Sequence, residues 1–309
     1  MKFGLIISKQ HPPGVSMVER FREHIEQVRA ARDAGFDLIV MGQHYLSAPF
    51  QEIQTLPSLA RLAAEAGTMR VGATVLLLPL LNPVDVAEQV ATLDVICEGR
   101  FIFGAGLGYR EEEYEAFGVQ GKERVPRFVE SLEVIKRLWT EDEVTHHGRF
   151  YDFEDVTIEP KPRKGSLDIW IGGRSDAILK RVVRLGDGWF PALTSPDEFK
   201  RDMGKIAAFG DQYGRTVSPR EAGVLLFSYV SEDRDAAQRA IAPFLRALPM
   251  PPEQAAARCV VGSPAECVEK LNRFVEAGCV KFVLRPSCPP ADVMAQIETY
   301  GKDILPHFN

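Results

Sequence analysis

The stretch FIFGAGLGYREEEYEAFG, from Phe101 to Gly118, combines a short apolar strand, a glycine cluster and acidic residues that can begin a helix. Loops that bind nucleotides have this order, because glycines let the backbone approach a phosphate closely. A dinucleotide fingerprint needs three glycines in the pattern G-x-G-x-x-G; Gly104 and Gly106 match it, but Tyr109 occupies the third position. The stretch is therefore weak support for a dinucleotide site, and a tight turn explains it equally well.

A second glycine stretch, Gly172-Gly173-Arg174-Ser175, stands between an apolar strand and a predicted helix. Free backbone N–H groups and the helix dipole at the start of a helix attract a phosphate, and the Arg174 guanidinium would add a positive charge. The pattern therefore predicts a phosphate site. The alternative is a plain glycine turn in which Ser175 caps the helix.

His44 and the adjacent pair His146-His147 are the histidines whose possible chemistry we compare. His44 follows an apolar strand, and its ordinary pKa suits proton transfer near neutral pH, although a loop histidine bonded to backbone is the alternative. The adjacent pair His146-His147 is not interpreted as a metal site, because neighbouring side chains diverge and no carboxylate or cysteine stands at ligand spacing. We predict no bound metal.

Composition excludes several classes of protein. The 309 residues include 37 basic and 43 acidic side chains, a net charge of −6 without long single-sign blocks, which argues against nucleic-acid or membrane-surface binding. Five cysteines without a C-x-x-C pair predict a reduced protein without structural zinc. The N-terminal apolar run is too short for a signal peptide, and Val75 to Leu81 is too short for a membrane span. We expect a cytoplasmic protein.

Eight short apolar strands alternate with helical patterns along the chain. A single closed (β/α)8 barrel, or TIM barrel, is favoured over an open sheet, because the first and last strands are equally apolar. No linker divides the chain, so residues 1–309 are predicted to form one domain, with an insertion from Thr140 to Leu167 between the helix after strand four and strand five. The predicted strands are 3–8, 38–41, 71–78, 100–103, 168–171, 188–190, 224–230 and 281–284.

In such a barrel the chemistry is located at the carboxyl ends of the strands. That end is therefore predicted to hold the residues that follow or terminate strands two to six. They are Gln43, His44, Tyr45, Thr74, Val75, Gly104, Ala105, Gly106, Gly172, Gly173, Arg174, Ser175 and Trp189.

Together these positions resemble the bacterial luciferase-like family of flavin-dependent monooxygenases and F420-dependent oxidoreductases. The likeness extends over nearly the whole chain through MKFGLII, DAGFDLIVMGQHY, IWIGGRS and GDGWFP. Its most specific part is Val71 to Gly118, where NP, AEQ, LD, GRF and the glycine loop stand at family spacing. The resemblance implies that Gly104, Ala105 and Gly106 form a wall of a flavin pocket and carry no dinucleotide.

The resemblance also implies roles for the catalytic residues. His44 would face the reactive edge of the flavin as an acid–base group, and Glu113 matches an acidic family position near the flavin. Many relatives have a carboxylate directly before this histidine, whereas this chain has Gln43. This departure from the family pattern argues against a mechanism that needs an acid–histidine pair.

Further roles concern the cofactor and the substrate. Thr74-Val75 corresponds to the family's non-prolyl cis peptide beneath the flavin ring, and the stretch from Gly172 to Ser175 would bind the flavin phosphate. The rings of Tyr151, Trp189 and Phe190 are expected to form walls of the substrate pocket, because large rings shield a substrate without supplying protons.

The leading hypothesis is a monooxygenase in which reduced FMN from a separate flavin reductase reacts with O₂ and oxygenates a small organic substrate. The alternative is hydride transfer with the deazaflavin F420, whose acidic tail Arg174 and Arg110 could meet. A non-catalytic flavin-binding subunit and a cofactor-free hydrolase are further alternatives. The resemblance also implies a homodimer that pairs through early helices containing Ala60, Ala63, Ala64, Ala87 and Ala91.

Overall fold

The structure is a computed structural model that describes residues 1–218, 221–248 and 250–308. Its described part contains strands and α-helices in regular alternation. The strands are β1 (Lys2–Ile6), β2 (Gln10–His11), β3 (Leu38–Met41), β4 (Gln51–Glu52), β5 (Arg70–Leu77), β6 (Phe101–Gly106), β7 (Val144–His147), β8 (Asp152–Val156), β9 (Ile169–Ile171), β10 (Gly188–Trp189), β11 (Gly223–Val230), β12 (Val260–Gly262) and β13 (Lys281–Pro286).

Several of the described helices begin at a residue whose side chain caps them. Ser16 Oγ accepts the Glu19 N–H at 3.3 Å, and Asn82 Oδ1 accepts the Val84 N–H at 2.9 Å. The helices are α1 (Met17–Asp33), α2 (Thr55–Ala63), α3 (Pro83–Ile96), α4 (Glu111–Ala116), α5 (Arg124–Thr140), α6 (Asp176–Leu185), α7 (Pro196–Tyr213), α8 (Arg234–Arg246), α9 (Pro252–Ala257), α10 (Pro264–Glu276) and α11 (Val293–Thr299). None of the described helices has the length and apolar character needed to cross a membrane.

Nine strands form one curled parallel sheet in the order β10-β9-β6-β5-β3-β1-β13-β11-β12. Two isolated bridges, Trp189 with Ala222 and Ala192 with Leu225, place β10 beside β11. The eight strands other than β12 therefore close into the predicted (β/α)8 barrel, and each predicted strand is present. The short strand β12 is not predicted from the sequence, because three residues are too few for a periodic pattern.

Both faces of the barrel strands are buried. Along β3, Leu38 and Val40 belong to a small cluster with Trp170, while Ile39 and Met41 pack into the larger core cluster. Since a parallel strand covered on both faces has apolar residues at every position, the sequence shows short continuous apolar runs without alternation.

The insertion between α5 and β9 contains the antiparallel hairpin of β7 and β8. This hairpin packs on α5, where Glu130 Oε1 accepts the backbone N–H groups of Phe150 and Tyr151, both at 3.0 Å. A second antiparallel pair joins β2 to β4 and so connects the loop after β1 with the loop after β3. Neither pair is predicted from the sequence.

A buried pair of imidazoles joins β2 to α1. His11 Nε2 lies 3.1 Å from His24 Nε2, and the two residues are 6% and 1% exposed. Burial, together with the charges of His11 and Arg20, lowers the pKa of His24 to about 4. The fold therefore holds His24 neutral at physiological pH.

This pair predicts a sensitivity to acid. The unfolded chain binds more protons than the folded chain between about pH 6.5 and pH 4, so stability falls as the pH drops through that window, by a loss on the order of 3 kcal/mol. In His24→Gln, urea unfolding midpoints should fall less steeply over the same window than in the unmodified protein. Equal slopes for the two proteins would contradict this assignment.

Candidate active site

A cavity of about 730 Å³ opens at the carboxyl ends of the barrel strands. All eight barrel strands, or the loops that follow them, contribute to its lining, as expected for a site in this fold. Four cationic side chains line it, namely those of Lys9, Arg110, Arg124 and Arg285, and no Asp or Glu of the described residues does. The cavity wall is therefore positive and suits anionic ligands.

His44 and Glu113 form a hydrogen-bonded pair at this cavity. His44 Nδ1 lies 3.0 Å from Glu113 Oε1, which also accepts the Tyr45 N–H at 2.8 Å. The Glu113 side chain is fully buried, whereas that of His44 is 22% exposed and lines the cavity. The acid–histidine pair is thus present, with its acid supplied by α4.

The pair defines the proton positions on the imidazole. Because an ionised carboxylate only accepts hydrogen bonds, the proton of neutral His44 is assigned to Nδ1, and Nε2 keeps a free lone pair. Burial lowers the pKa of His44 and outweighs the hydrogen bond that His44 donates to Glu113, which raises the pKa; the Arg110 charge lowers the pKa further. His44 is therefore a neutral base near pH 7.

Gln43 has a structural role in the loop that carries His44. Its Oε1 accepts the Leu77 N–H at 2.9 Å, and its Nε2 donates to the Tyr45 hydroxyl at 2.9 Å. Gln43 thereby ties the loop that carries His44 to the end of β5.

The glycine cluster of β6 is explained by close packing on β5. A Cβ at Gly104 would lie 2.4 Å from the Ala73 carbonyl oxygen, and a Cβ at Gly106 would lie 2.4 Å from Val75 Cγ2. The neighbouring Thr74-Val75 peptide is cis, as the resemblance implies, and both of its residues line the cavity. The glycines therefore serve strand packing beside the cavity.

The predicted phosphate loop is only partly directed to the cavity. Gly172 and Gly173 line it, and Ser175 precedes α6 without a side-chain capping hydrogen bond. The Arg174 guanidinium instead donates to Glu198 Oε2 at 3.0 Å. The hydrogen bond from Arg258, with the charge of Arg174, lowers the pKa of Glu198 to about 2, so this carboxylate keeps Arg174 engaged.

Of the three rings predicted as pocket walls, Phe190 lines the cavity, whereas Tyr151 and Trp189 are not among the lining residues. Ser131 Oγ donates to the Tyr151 hydroxyl at 3.1 Å, which holds that ring against α5. Trp189 is fully buried, stacks on Phe199 and donates its Nε1–H to the Gly173 carbonyl at 2.8 Å. These positions do not support the expectation that the two rings form pocket walls; Trp189 supports the Gly172-Gly173 loop from behind.

Four charged residues at the site are absent from the sequence predictions. Lys9, Arg124 and Arg285 line the cavity, and Glu52 lies behind the wall with a side chain only 4% exposed. Lys9 and Arg285 lie near the carboxyl ends of β1 and β13. The expectation that functional residues lie at these strand ends could therefore have identified them. Glu52 belongs to a two-residue strand that gives no such signal.

The Arg285 guanidinium is an unpaired cation in the cavity wall. It lies over the Phe227 ring, 4.7 Å from the centroid, and forms no side-chain hydrogen bond or ion pair with the described residues. Burial lowers its pKa. A buried charge without a counter-ion is costly, so this position favours an anionic ligand group.

A family model described as luciferase-like monooxygenase matches residues 1–258. An F420-dependent glucose-6-phosphate dehydrogenase from Segniliparus rotundus is 27% identical over 93% of this chain and 94% of its own length. Uncharacterized proteins from Mycobacterium bovis and Mycobacterium tuberculosis are 34% identical over 173 residues, and the chain spans only 59% of their length.

Two solved structures share the fold. The monooxygenase RslO1 from Streptomyces bottropensis has a TM-score of 0.84 at 23% identity, covering 100% of both chains. An F420-dependent secondary alcohol dehydrogenase in complex with an F420-acetone adduct has a TM-score of 0.84 at 21% identity, covering 100% of this chain and 99% of that one. The chain belongs to the luciferase-like family of oxidoreductases.

Proposed function

We propose that this chain is an F420-dependent oxidoreductase that oxidises an alcohol to a carbonyl compound. The observation that carries the proposal is His44 held by Glu113 with a free Nε2 lone pair at the cavity. Such a base can take the proton of a substrate hydroxyl. Support also comes from the F420-dependent relative that aligns over 93% of the chain. We therefore favour F420 over FMN, which reverses the order of the two cofactors expected from the sequence.

In this reaction the O–H proton moves to His44 Nε2, while the carbon of the alcohol loses a hydride. When bound, F420 supplies the acceptor for that hydride. Glu113 stabilises the imidazolium that forms, because its carboxylate already accepts the Nδ1–H at 3.0 Å. Arg285 would hold a carboxylate or phosphate of the substrate.

The residues present fit a cofactor of this kind. Thr74 Oγ1 is buried without a hydrogen-bond partner among the described residues, and Thr74 lines the cavity, so it can bond a ligand. Gly172 and Gly173 expose backbone to the cavity, and the N-terminus of α6 follows them. We infer that Thr74, the Gly172-Gly173 loop and Ser175 hold the cofactor.

A second candidate function is monooxygenation with reduced FMN and O₂. The description of the matching family model favours it, and the same glycine loop would hold the FMN phosphate. Because the His44–Glu113 pair is complete, we do not favour a non-catalytic flavin-binding subunit.

Fluorescence titration of the purified protein with F420, FMN and reduced FMN tests the cofactor. The proposal expects tight binding of F420 and a loss of F420 absorbance when alcohols that carry a carboxylate or phosphate are added. Binding of reduced FMN with oxygen consumption, and no response to F420, would support the second candidate and contradict the first.

Glu113→Gln is expected to lower turnover by about tenfold, because a neutral hydrogen bond to the developing imidazolium is weaker by about 1–1.5 kcal/mol than a charge-assisted one. Steady-state rates at saturating cofactor measure the effect. Glu112→Gln is the matched control, since Glu112 is exposed on the same helix. Equal rates for the two variants would remove Glu113 from the mechanism.

A further inference from the structure

Glu52 is a buried carboxylate in the loop that carries His44, and it accepts hydrogen bonds from four donors. Oε1 accepts the His44 backbone N–H at 3.1 Å and the Lys9 ammonium. Oε2 accepts from Gln10 Nε2 at 2.6 Å and from the Ser47 hydroxyl. Burial opposes ionisation of Glu52, but the hydrogen bonds from Lys9, Ser47 and Gln10 prevail and lower its pKa.

Lys9 places the opposite charge in the cavity wall. Its side chain is 8% exposed and forms an ion pair with Glu52. Burial lowers the pKa of Lys9, while the hydrogen bond to Glu52 raises it and keeps the pair intact. The pair therefore adds no net charge beside the loop that carries His44, and Glu52 holds that loop through the His44 backbone N–H.

The charged groups around His44 come from several elements. Glu113 of α4 bonds the imidazole directly, and Tyr109 packs its ring edge-on at 5.4 Å between centroids. Arg110 follows Tyr109 and donates to Ser47 Oγ at 3.2 Å. Arg285 and Arg124 line the same cavity.

We propose that Lys9 and Glu52 are positioning residues that act through His44: Glu52 anchors the His44 backbone, and the two opposite charges offset each other, so that burial, Glu113 and Arg110 set the basicity of the imidazole. The inference rests on the proposed function in taking His44 as the base. It adds a specific electrostatic role to two residues that do not carry out the chemistry.

This role requires the His44 pKa to shift in opposite directions when Lys9 and Glu52 are neutralised one at a time. In Lys9→Met the unbalanced Glu52 carboxylate favours the protonated imidazole, so the His44 pKa rises. In Glu52→Gln the unbalanced Lys9 ammonium disfavours it, so the His44 pKa falls. Each shift should be on the order of one pH unit, the scale on which a neighbouring charge moves the pKa of an ionisable group. The double variant Lys9→Met/Glu52→Gln should titrate close to the unmodified protein.

NMR titration of ¹³C-labelled histidine side chains measures the His44 pKa without any substrate or cofactor. The chain has 6 histidines, so His44→Gln identifies the signal. Lys2→Met is the matched control, because Lys2 pairs with Asp37 at 2.5 Å near the opposite end of the barrel and should leave His44 unchanged. The acidic limb of kcat/KM should move with the NMR value.

Shifts of the same sign in the two single variants, or no shift in either, would overturn the inference. If Glu52→Gln fails to fold, Lys9→Met still has to raise the His44 pKa and move the acidic limb to higher pH. Failure of the proposed function is distinguishable, because the NMR shifts would then appear in a protein whose turnover does not depend on His44.

Discussion

His44→Gln is expected to lower turnover by roughly a hundredfold to ten-thousandfold, the range for a positioned acid–base group, while cofactor affinity stays nearly unchanged. The physical reason is that glutamine keeps a hydrogen bond to Glu113 but has no lone pair of suitable basicity at the position of Nε2. Stopped-flow rates and binding titrations measure the two quantities separately. In the unmodified protein, the acidic limb of kcat/KM should lie below the ordinary histidine value of about 6.5, because burial lowers the His44 pKa.

His147→Gln is the control for this substitution, since His147 lies exposed on the β7 strand of the outer hairpin. A His44→Gln protein that lost cofactor binding but kept its rate per bound cofactor would show that the histidine is only a wall of the cavity.

Gly104→Ala is expected to destabilise the fold by about 1–3 kcal/mol, as other overpacked cores do. The new Cβ would lie 2.4 Å from the Ala73 carbonyl oxygen and 3.0 Å from Thr74 Cα, and backbone atoms cannot move aside as a flexible side chain can. Thermal unfolding should show a midpoint lower by several degrees.

The control for this substitution is Gly204→Ala within α7, where an added Cβ meets no atom within 4 Å. Alanine in an exposed helix position stabilises by up to about 1 kcal/mol, so this variant should not lose stability. Similar losses in both variants would mean that the cost at Gly104 comes from chain flexibility and not from packing.

The barrel could be predicted because burial on two faces leaves a strong local signal. The β5 sequence is apolar enough to mark a strand without any partner being known, and Gly35 and Gly67 mark the ends of the helix patterns. The β2–β4 pair depends on contacts between residues about 40 positions apart and on only two residues per strand, so no local pattern encodes it.

The place of His44 at the cavity was predictable, because the residue follows a barrel strand. The role proposed for it rests on the family resemblance as well. The binding partner of the Arg174 guanidinium was not predictable. A guanidinium can bind a phosphate or a carboxylate, and Arg174 binds Glu198 because α7 packs beside it. Likewise, nothing local indicates that Glu113 lies within reach of an imidazole 69 positions earlier.

The four cationic side chains of the cavity stand in a chain whose formal net charge is −6. At physiological ionic strength, fields are screened over about 8 Å, so an approaching anion is influenced by the cavity mouth more than by distant acidic surface. Anionic ligands should therefore associate quickly with a protein of the same overall sign, and the rate should decline as salt is added. The net charge of the chain alone would predict that anions are repelled and that salt speeds their association. The opposite is expected, because the charges at the cavity mouth control the encounter.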